Sequence, residues 1–211
     1  MIKPSDVQNQ VILGTILGDG SLEFNGYQGT RLQIKQSVEH KDYVLWLYEV
    51  LKDLCRSGPR EKSDTKQWYF STRGLKEFTS LRNLFYQEKR KVIPQNIERL
   101  LVSPLSLAVW FMDDGSLDFR PKDHCSFMLH TDSFSKEDTL VLAEVLRKNF
   151  GVDARVYTLL SRETRYPKIY IGSKGRQRFL ELVKPYILSC FRYKLPPVDP
   201  SETESPLVEM R

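Results

Sequence analysis

Two stretches of this chain end in the same way. Ile12-Leu13-Gly14-Thr15-Ile16-Leu17-Gly18 runs into Asp19-Gly20, and Leu107-Ala108-Val109-Trp110-Phe111-Met112-Asp113 runs into Asp114-Gly115. An acid in the last turn of an apolar helix is disfavoured, because the negative pole of the helix dipole already lies there. Each acid is followed by glycine, which predicts that each helix stops in the left-handed conformation. Gly14, Gly18 and Ala108 are small enough for two such helices to pack closely. Their ends would then bring Asp19 and Asp114 together, and adjacent carboxylates repel unless a cation sits between them. Hard oxygen ligands favour magnesium, or another divalent ion such as manganese. Two ordinary helix caps are the simpler alternative; the recurrence of the acid itself argues against it.

The elements that must position these acids are set by an internal duplication. At an offset of 95, Asp19-Gly20-Ser21-Leu22-Glu23-Phe24 falls on Asp114-Gly115-Ser116-Leu117-Asp118-Phe119, and Glu49-Val50-Leu51-Lys52 on Glu144-Val145-Leu146-Arg147. From Asp19 to Leu51 there are 11 identities in 33 positions, without a gap. The offset then drifts: Arg73-Gly74 resembles Lys174-Gly175 at 101, and the lysines of Lys91-Val92-Ile93-Pro94 and Lys194-Leu195-Pro196 lie 103 apart. The sequence therefore divides into a first module (1–100), a second (101–196) and an acidic, proline-rich tail (197–211).

Each module reads as helix, two strands, helix, two strands, helix. Ser5 and Ser103-Pro104 are helix starts. Arg31-Leu32-Gln33-Ile34-Lys35 alternates polar and apolar at every residue, as does Ser126-Phe127-Met128-Leu129-His130 less cleanly, which predicts strands with one buried and one wet face. Residues 41–55 and 136–150 carry apolar positions at helical spacing. Further strands are expected at 57–63, 66–72, 152–159 and 167–173, and third helices at 74–86 and 175–188. The fold class is α+β, a duplicated αββαββα unit with a curved antiparallel sheet in each half and the acid-bearing helices packed at the centre.

Bulk properties narrow the function. The net charge of +5 is spread as +4, +4 and −3 over the two modules and the tail. Two equally basic halves suit a polyanion that both touch, or are no more than a solvated basic surface. Cys55, Cys125 and Cys190 are odd in number and far apart, which excludes a disulfide framework or zinc ribbon and fits a reducing compartment. His40, His124 and His130 lack metal-ligand spacing. No apolar run approaches the roughly 18 residues of a membrane helix, and Met-Ile-Lys-Pro-Ser-Asp does not open a signal peptide. An intracellular protein is expected, in a bacterial cytoplasm or an organelle, with no membrane partner.

The two acid-ended segments, in register with a whole-module repeat, resemble the motif of the LAGLIDADG homing endonucleases, and the second has that family's FMDDG form. The resemblance covers about residues 5–196. It implies a monomeric, single-chain nuclease that hydrolyses both strands of a long, asymmetric double-stranded DNA site. It also implies two or three divalent ions on a pseudo-two-fold axis, held by Asp19 and Asp114 with backbone carbonyls at Gly18 and Asp113. The Asp113 side chain is a further ligand or, in the preferred reading, a polar helix-end residue. Lys91 and Lys194 match the family's basic residues near the metals, or are surface lysines before proline.

The resemblance places DNA on the wet sheet faces. If Leu32, Ile34, Phe127, Leu129, Ile169 and Ile171 point inward, Arg31, Gln33, Lys35, Ser126, Met128, His130, Lys168, Tyr170 and Lys174 point outward. Arg60, Lys62, Tyr69, Arg73, Arg120, Arg155 and Tyr157 complete the candidate DNA contacts. Gln and Arg read base edges, whereas Tyr and Lys suit phosphates and sugars. Any solvated sheet face alternates in this way too. The alternative function is an RNA-binding maturase of the same fold, acting on its own intron RNA; the retained acids favour the nuclease. A DNA-binding regulator that has lost cleavage is disfavoured on the same ground. No protein-splicing segments are evident, which favours a free-standing or intron-encoded enzyme over an intein.

Overall fold

The computed structural model describes residues 2–197 apart from 25, 27, 28, 162 and 163, so the tail lies outside the described residues from 198 onward. Helix α1 (Asp6–Leu17) begins on Ser5, whose hydroxyl accepts from the Gln8 N–H while Gln8 Oε1 accepts from the Ser5 N–H. This reciprocal cap satisfies two amides the first helical turn leaves open. Helix α5 (Pro104–Asp114) starts behind Ser103, with Pro104 at a position where a missing N–H is harmless. Helix α5 is buried over most of its length, Leu105–Met112, and α1 over its second half, Val11–Leu17. A helix apolar all round belongs in a protein's centre, not on its surface.

Glycine sets how closely they cross. A Cβ on Gly14 would stand 2.6 Å from both the Ser106 carbonyl oxygen and Val109 Cβ; one on Gly18 would stand 2.4 Å from Asp113 Cβ and Oδ2. Gly14 and Val109 are repeat equivalents at offset 95, and so are Gly18 and Asp113. Equivalent residues that touch each other mark the pseudo-two-fold axis.

Strands β1 (Ser21–Phe24), β2 (Thr30–Ser37), β3 (Arg60–Lys62) and β4 (Gln67–Ser71) form an antiparallel sheet in the order β1-β2-β4-β3. A short hairpin, β5 (Tyr86–Gln87) and β6 (Arg90–Lys91), follows the first half's third helix. Strands β7 (Gly115–Arg120), β8 (His124–His130), β9 (Arg155–Ser161) and β10 (Thr164–Ile171) repeat the larger sheet in the order β7-β8-β10-β9. Helices α2 (Lys41–Leu51) and α3 (Lys76–Phe85) belong to the first half, α4 (Ile97–Leu100) leads into α5, and α6 (Lys136–Phe150) and α7 (Arg176–Val183) complete the second. The last helix stops short of the expected 188: Pro185 lacks the N–H to continue it, and Lys184–Tyr186 turns as a 3-10 segment. Leu32, Ile34, Phe127, Leu129, Ile169 and Ile171 are all buried, as alternation requires.

Strand pairing explains the drifting offset. Ser21 pairs with Gln33 and Gln33 with Ser71; Ser116 pairs with Met128 and Met128 with Tyr170. The third and fourth strands of each half are therefore displaced: Ser71 corresponds to Tyr170, an offset of 99. Arg60, beside Tyr69, corresponds to Tyr157, beside Lys168, an offset of 97.

Candidate active site and nucleic-acid interface

At one end of the helix crossing the acids meet. Asp19 lies just past α1 and is exposed, while Asp113 and Asp114, the last residues of α5, are half-buried. Asp113 Oδ2 accepts from the Asp19 backbone N–H at 3.1 Å. Gln36 Nε2 donates to Asp19 Oδ2 at 2.9 Å and to Asp113 Oδ1 at 3.3 Å. The buried Tyr43 side chain stands against the same acid: burial, then Asp113, holds its phenol well above the usual range. Burial raises Asp114 to about 7, with the Asp19 charge as the second cause, and burial followed by Asp19 lifts Asp113 well above the carboxylate range.

Two lysines close the site from below. Lys91 Nζ donates to the Gly18 carbonyl at 2.6 Å, and Lys194 Nζ donates to the Met112 carbonyl at 2.5 Å and reaches that of Asp113 at 3.5 Å. Burial lowers both lysines, and the acids oppose it, Asp114 most for Lys91 and Asp113 most for Lys194. The Gly18 and Asp113 carbonyls each have an ammonium group as neighbour. Among the described residues no group of three or more His, Cys, Asp or Glu is placed to hold a metal on its own. Magnesium does not require one: it is commonly bound by one or two carboxylates with water and substrate phosphate.

The glycines after the acids are not left-handed. Gly115 has φ −86°, and positive φ among described glycines is confined to Gly26, Gly29 and Gly151. They serve close approach: a Cβ at Gly20 would stand 2.8 Å from the Thr15 carbonyl oxygen, and one at Gly115 2.3 Å from that of Phe111. The preferred reading of Asp113 as a bystander at the helix end is likewise corrected, because its side chain joins Asp19 to Gln36. Gln36 and Tyr43 were missed by the sequence reading. The available signal was phase: Gln36 is a polar residue in step with inward Leu32 and Ile34.

Register places the candidate contacts in rows across each sheet. In the first, Glu23 stands beside Arg31, Gln33 between Ser21 and Ser71, Tyr69 between Lys35 and Arg60, and Lys62 beside Gln67. In the second, Arg120 stands beside His124, Ser126 beside Asp118, Met128 between Ser116 and Tyr170, Arg155 beside Tyr170, and Lys168 between His130 and Tyr157. Lys35, Arg60, Lys62, Arg120, Arg155, Tyr157 and Lys174 are exposed. Arg31 pairs with Glu23 at 2.9 Å, and Arg73 Nε donates to the Cys55 carbonyl at 3.0 Å. Arg31, Arg56, Arg60 and Arg73 with Tyr69 line a cleft of 230 Å³. Arg155, Tyr157, Tyr170 and Lys174 line one of 270 Å³ in the second half. Arg56 was not foreseen.

Two expected outward residues are withdrawn. Lys168 is 7% exposed, ion-paired with Asp132, and donates to His130 Nδ1 at 2.9 Å. That bond leaves the His130 proton on Nε2, which donates to Ser116 Oγ at 2.8 Å. Burial, with Lys168 second, lowers His130 and favours its neutral form. Lys168 keeps to the row of His130 and Tyr157, and its bonds to His130 and Asp132 hold it down among them. Ser126 is 3% exposed and bonds His124 at 2.9 Å.

Paired central helices ending in acids, each flanked by a four-stranded sheet, define a duplicated α+β architecture. The chain belongs to the LAGLIDADG DNA endonuclease family, whose model matches residues 9–179. It is 27% identical to the DNA endonuclease I-ChuI of Chlamydomonas applanata, over 89% of this chain and 94% of that one. It is 28% identical to the cytochrome b mRNA maturase bI2 of Debaryomyces hansenii, over 92% and 75%. Among solved structures, the homing endonuclease I-WcaI bound to its DNA recognition sequence superposes with a TM-score of 0.80 at 28% identity, over 93% of this chain and 88% of that chain. I-DmoI in complex with DNA and Mn, at 16% identity and a TM-score of 0.55, shares the fold.

Proposed function

We infer that this protein is a site-specific homing endonuclease that cuts both strands of a long, asymmetric double-stranded DNA site with divalent metal. The observation that carries the reading is the meeting of Asp19 and Asp114 on the axis between two sheets with polar outer faces. The donor set fits a hard cation: Asp114 is raised by burial and by Asp19, so a divalent charge relieves what the two carboxylates suffer together. Asp19 and Asp114, with the Gly18 and Asp113 carbonyls, would hold magnesium or manganese. When bound, such an ion supplies Lewis acidity and a more acidic water. The chain's own residues orient the site: Gln36 and Asp113 fix Asp19, while Lys91 and Lys194 set positive charge behind the acids and against the phosphate. In-row residues such as Gln33, Lys35, Tyr69 and Arg60 lie against the DNA, modules 1–100 and 101–196 each covering one half-site.

Relatedness to a maturase supports intron RNA as a second partner, but a pure RNA-binding role leaves the cluster of acids without a purpose. The test is incubation with the uninterrupted version of the gene's own insertion site and magnesium. A double-strand break by one chain per duplex is expected. Binding to a structured intron RNA with no DNA cleavage would install the maturase reading.

A further inference from the structure

The two halves of the site are not equivalent. Where α1 crosses α5 there is room for one side chain between Gly18 and its repeat equivalent Asp113, since a Cβ on Gly18 would lie 2.4 Å from Asp113 Cβ and Oδ2. The second copy supplies that side chain, and it reaches across the axis. Asp113 Oδ2 takes the Asp19 N–H and Oδ1 takes Gln36 Nε2, whose other contact is Asp19 Oδ2. Asp19 is thus held at both its backbone and its carboxylate.

The corresponding clamp on Asp114 is missing its parts. Gly18 has no side chain to offer the Asp114 amide. The equivalent of Gln36 is Thr131, a buried residue whose hydroxyl donates to the Pro167 carbonyl at 2.8 Å. The equivalent of Tyr43 is Asp138, which is spent on capping α6.

We propose that Asp113 is a positioning residue that preorganises Asp19 and so makes the two strands of the DNA unequal substrates. The idea rests on the nuclease reading above. Each motif helix faces one strand by the pseudo-two-fold relation, so the clamped end acts on its phosphate without reorganising first, whereas the unclamped end must order itself. The strand facing Asp19 is cut first and the nicked duplex accumulates. Asp113→Gly, which copies Gly18, removes the clamp; Asp113→Asn keeps one of the two acceptor oxygens and loses the other.

The test is a strand-resolved cleavage assay on a duplex labelled differently at each 5′ end. Wild-type protein should cut one strand faster. Asp113→Gly should slow that strand by about tenfold, the scale of one buried hydrogen bond, and the other less than twofold. Asp113→Asn should fall between. Hydrogen exchange without metal gives a second readout: the Asp19 amide loses protection in Asp113→Gly while that of Ile12 keeps it. Equal slowing of both strands, or unchanged protection at Asp19, overturns the proposal. Absence of any cleavage by the wild type defeats the nuclease reading instead, and the exchange experiment still decides the role of the clamp.

Discussion

Gly14 and Val109 hold equivalent places in the two copies of the repeat and touch each other where α1 crosses α5. A methyl group at Gly14 would overlap Val109 Cβ and the Ser106 carbonyl, so the helices must part to admit it. Gly14→Ala should destabilise the fold by about 1–3 kcal/mol, the usual cost of overpacking a closed core. Adding Val109→Ala to that variant should return part of the loss, because the two changes share one contact. Urea denaturation of the four proteins checks both; strict additivity would place the strain elsewhere.

Asp19→Asn and Asp114→Asn should each reduce double-strand cleavage to background and leave DNA affinity within a few-fold. Both changes preserve shape and leave the outer faces of the sheets as they are. Full cleavage by either variant in magnesium would remove the paired acids from the chemistry.

The acids also set a pH dependence. Asp114 titrates near 7 in the folded protein, and Asp113 is raised for the same reasons, whereas unfolded aspartates titrate near 4. Between about pH 4 and 7 the folded, metal-free chain holds more protons than the unfolded one, so this stability is present below pH 4 and lost as pH rises through 7. In chelator, the Tm of the wild type relative to Asp114→Asn should fall from pH 5 to pH 8. Magnesium should restore more at pH 8 than at pH 6. A relative Tm that climbs with pH would reverse the assignment.

Readout and anchoring separate on the first sheet. Gln33 lies centrally between Ser21 and Ser71, while Arg60 lies at the edge in the arginine-lined cleft. Gln33→Ala should relax preference at one base position at a cost of about 1–3 kcal/mol. Arg60→Ala should weaken all sequences alike and reduce the salt slope by about 1. Cleavage of a site library, with binding over a salt series, distinguishes them.

Lys168 offers the contrasting case. Lys168→Met should leave the salt slope unchanged, because the cation is already neutralised by Asp132. Thermal stability should fall, since Asp132 and His130 lose their shared partner. A salt slope lowered by about one unit would return Lys168 to the DNA-facing set.

Much of this was legible beforehand because period and duplication are strong signals. Leu32, Ile34, Phe127 and Leu129 announced the buried sheet faces, and Ser5, Ser103 and Pro104 the helix starts. Asp19 and Asp114 stood out because a repeat carried each into the same unfavourable place. What escaped depends on three-dimensional neighbours. Gln36 is chemically ordinary in a strand, and only the arrival of α5 from the other half gives it two carboxylates. The helix-ending glycines were found, but their cause was misread: contact distance to Thr15 and Phe111, not backbone handedness, demands them. Lys168 obeyed alternation and is covered all the same, because pattern fixes a face and not the company on it.

The stepwise drift between the two copies has a consequence for how such a chain can diverge. The offset passes from 95 on β1 and β2 to 97 on β3 and 99 on β4. Each step is an even number, and in a sheet an even step carries every side chain to the face it already occupied, whereas an odd one exchanges core for solvent. The buried rows survive the displacement, since Phe70 in the first half and its register equivalent Ile169 in the second both face the core. The third and fourth strands of the second half are displaced by whole pleats, which sets Tyr157 where the first half has Arg60 and Tyr170 where it has Ser71. A change of length became a change of recognition surface with the core left alone.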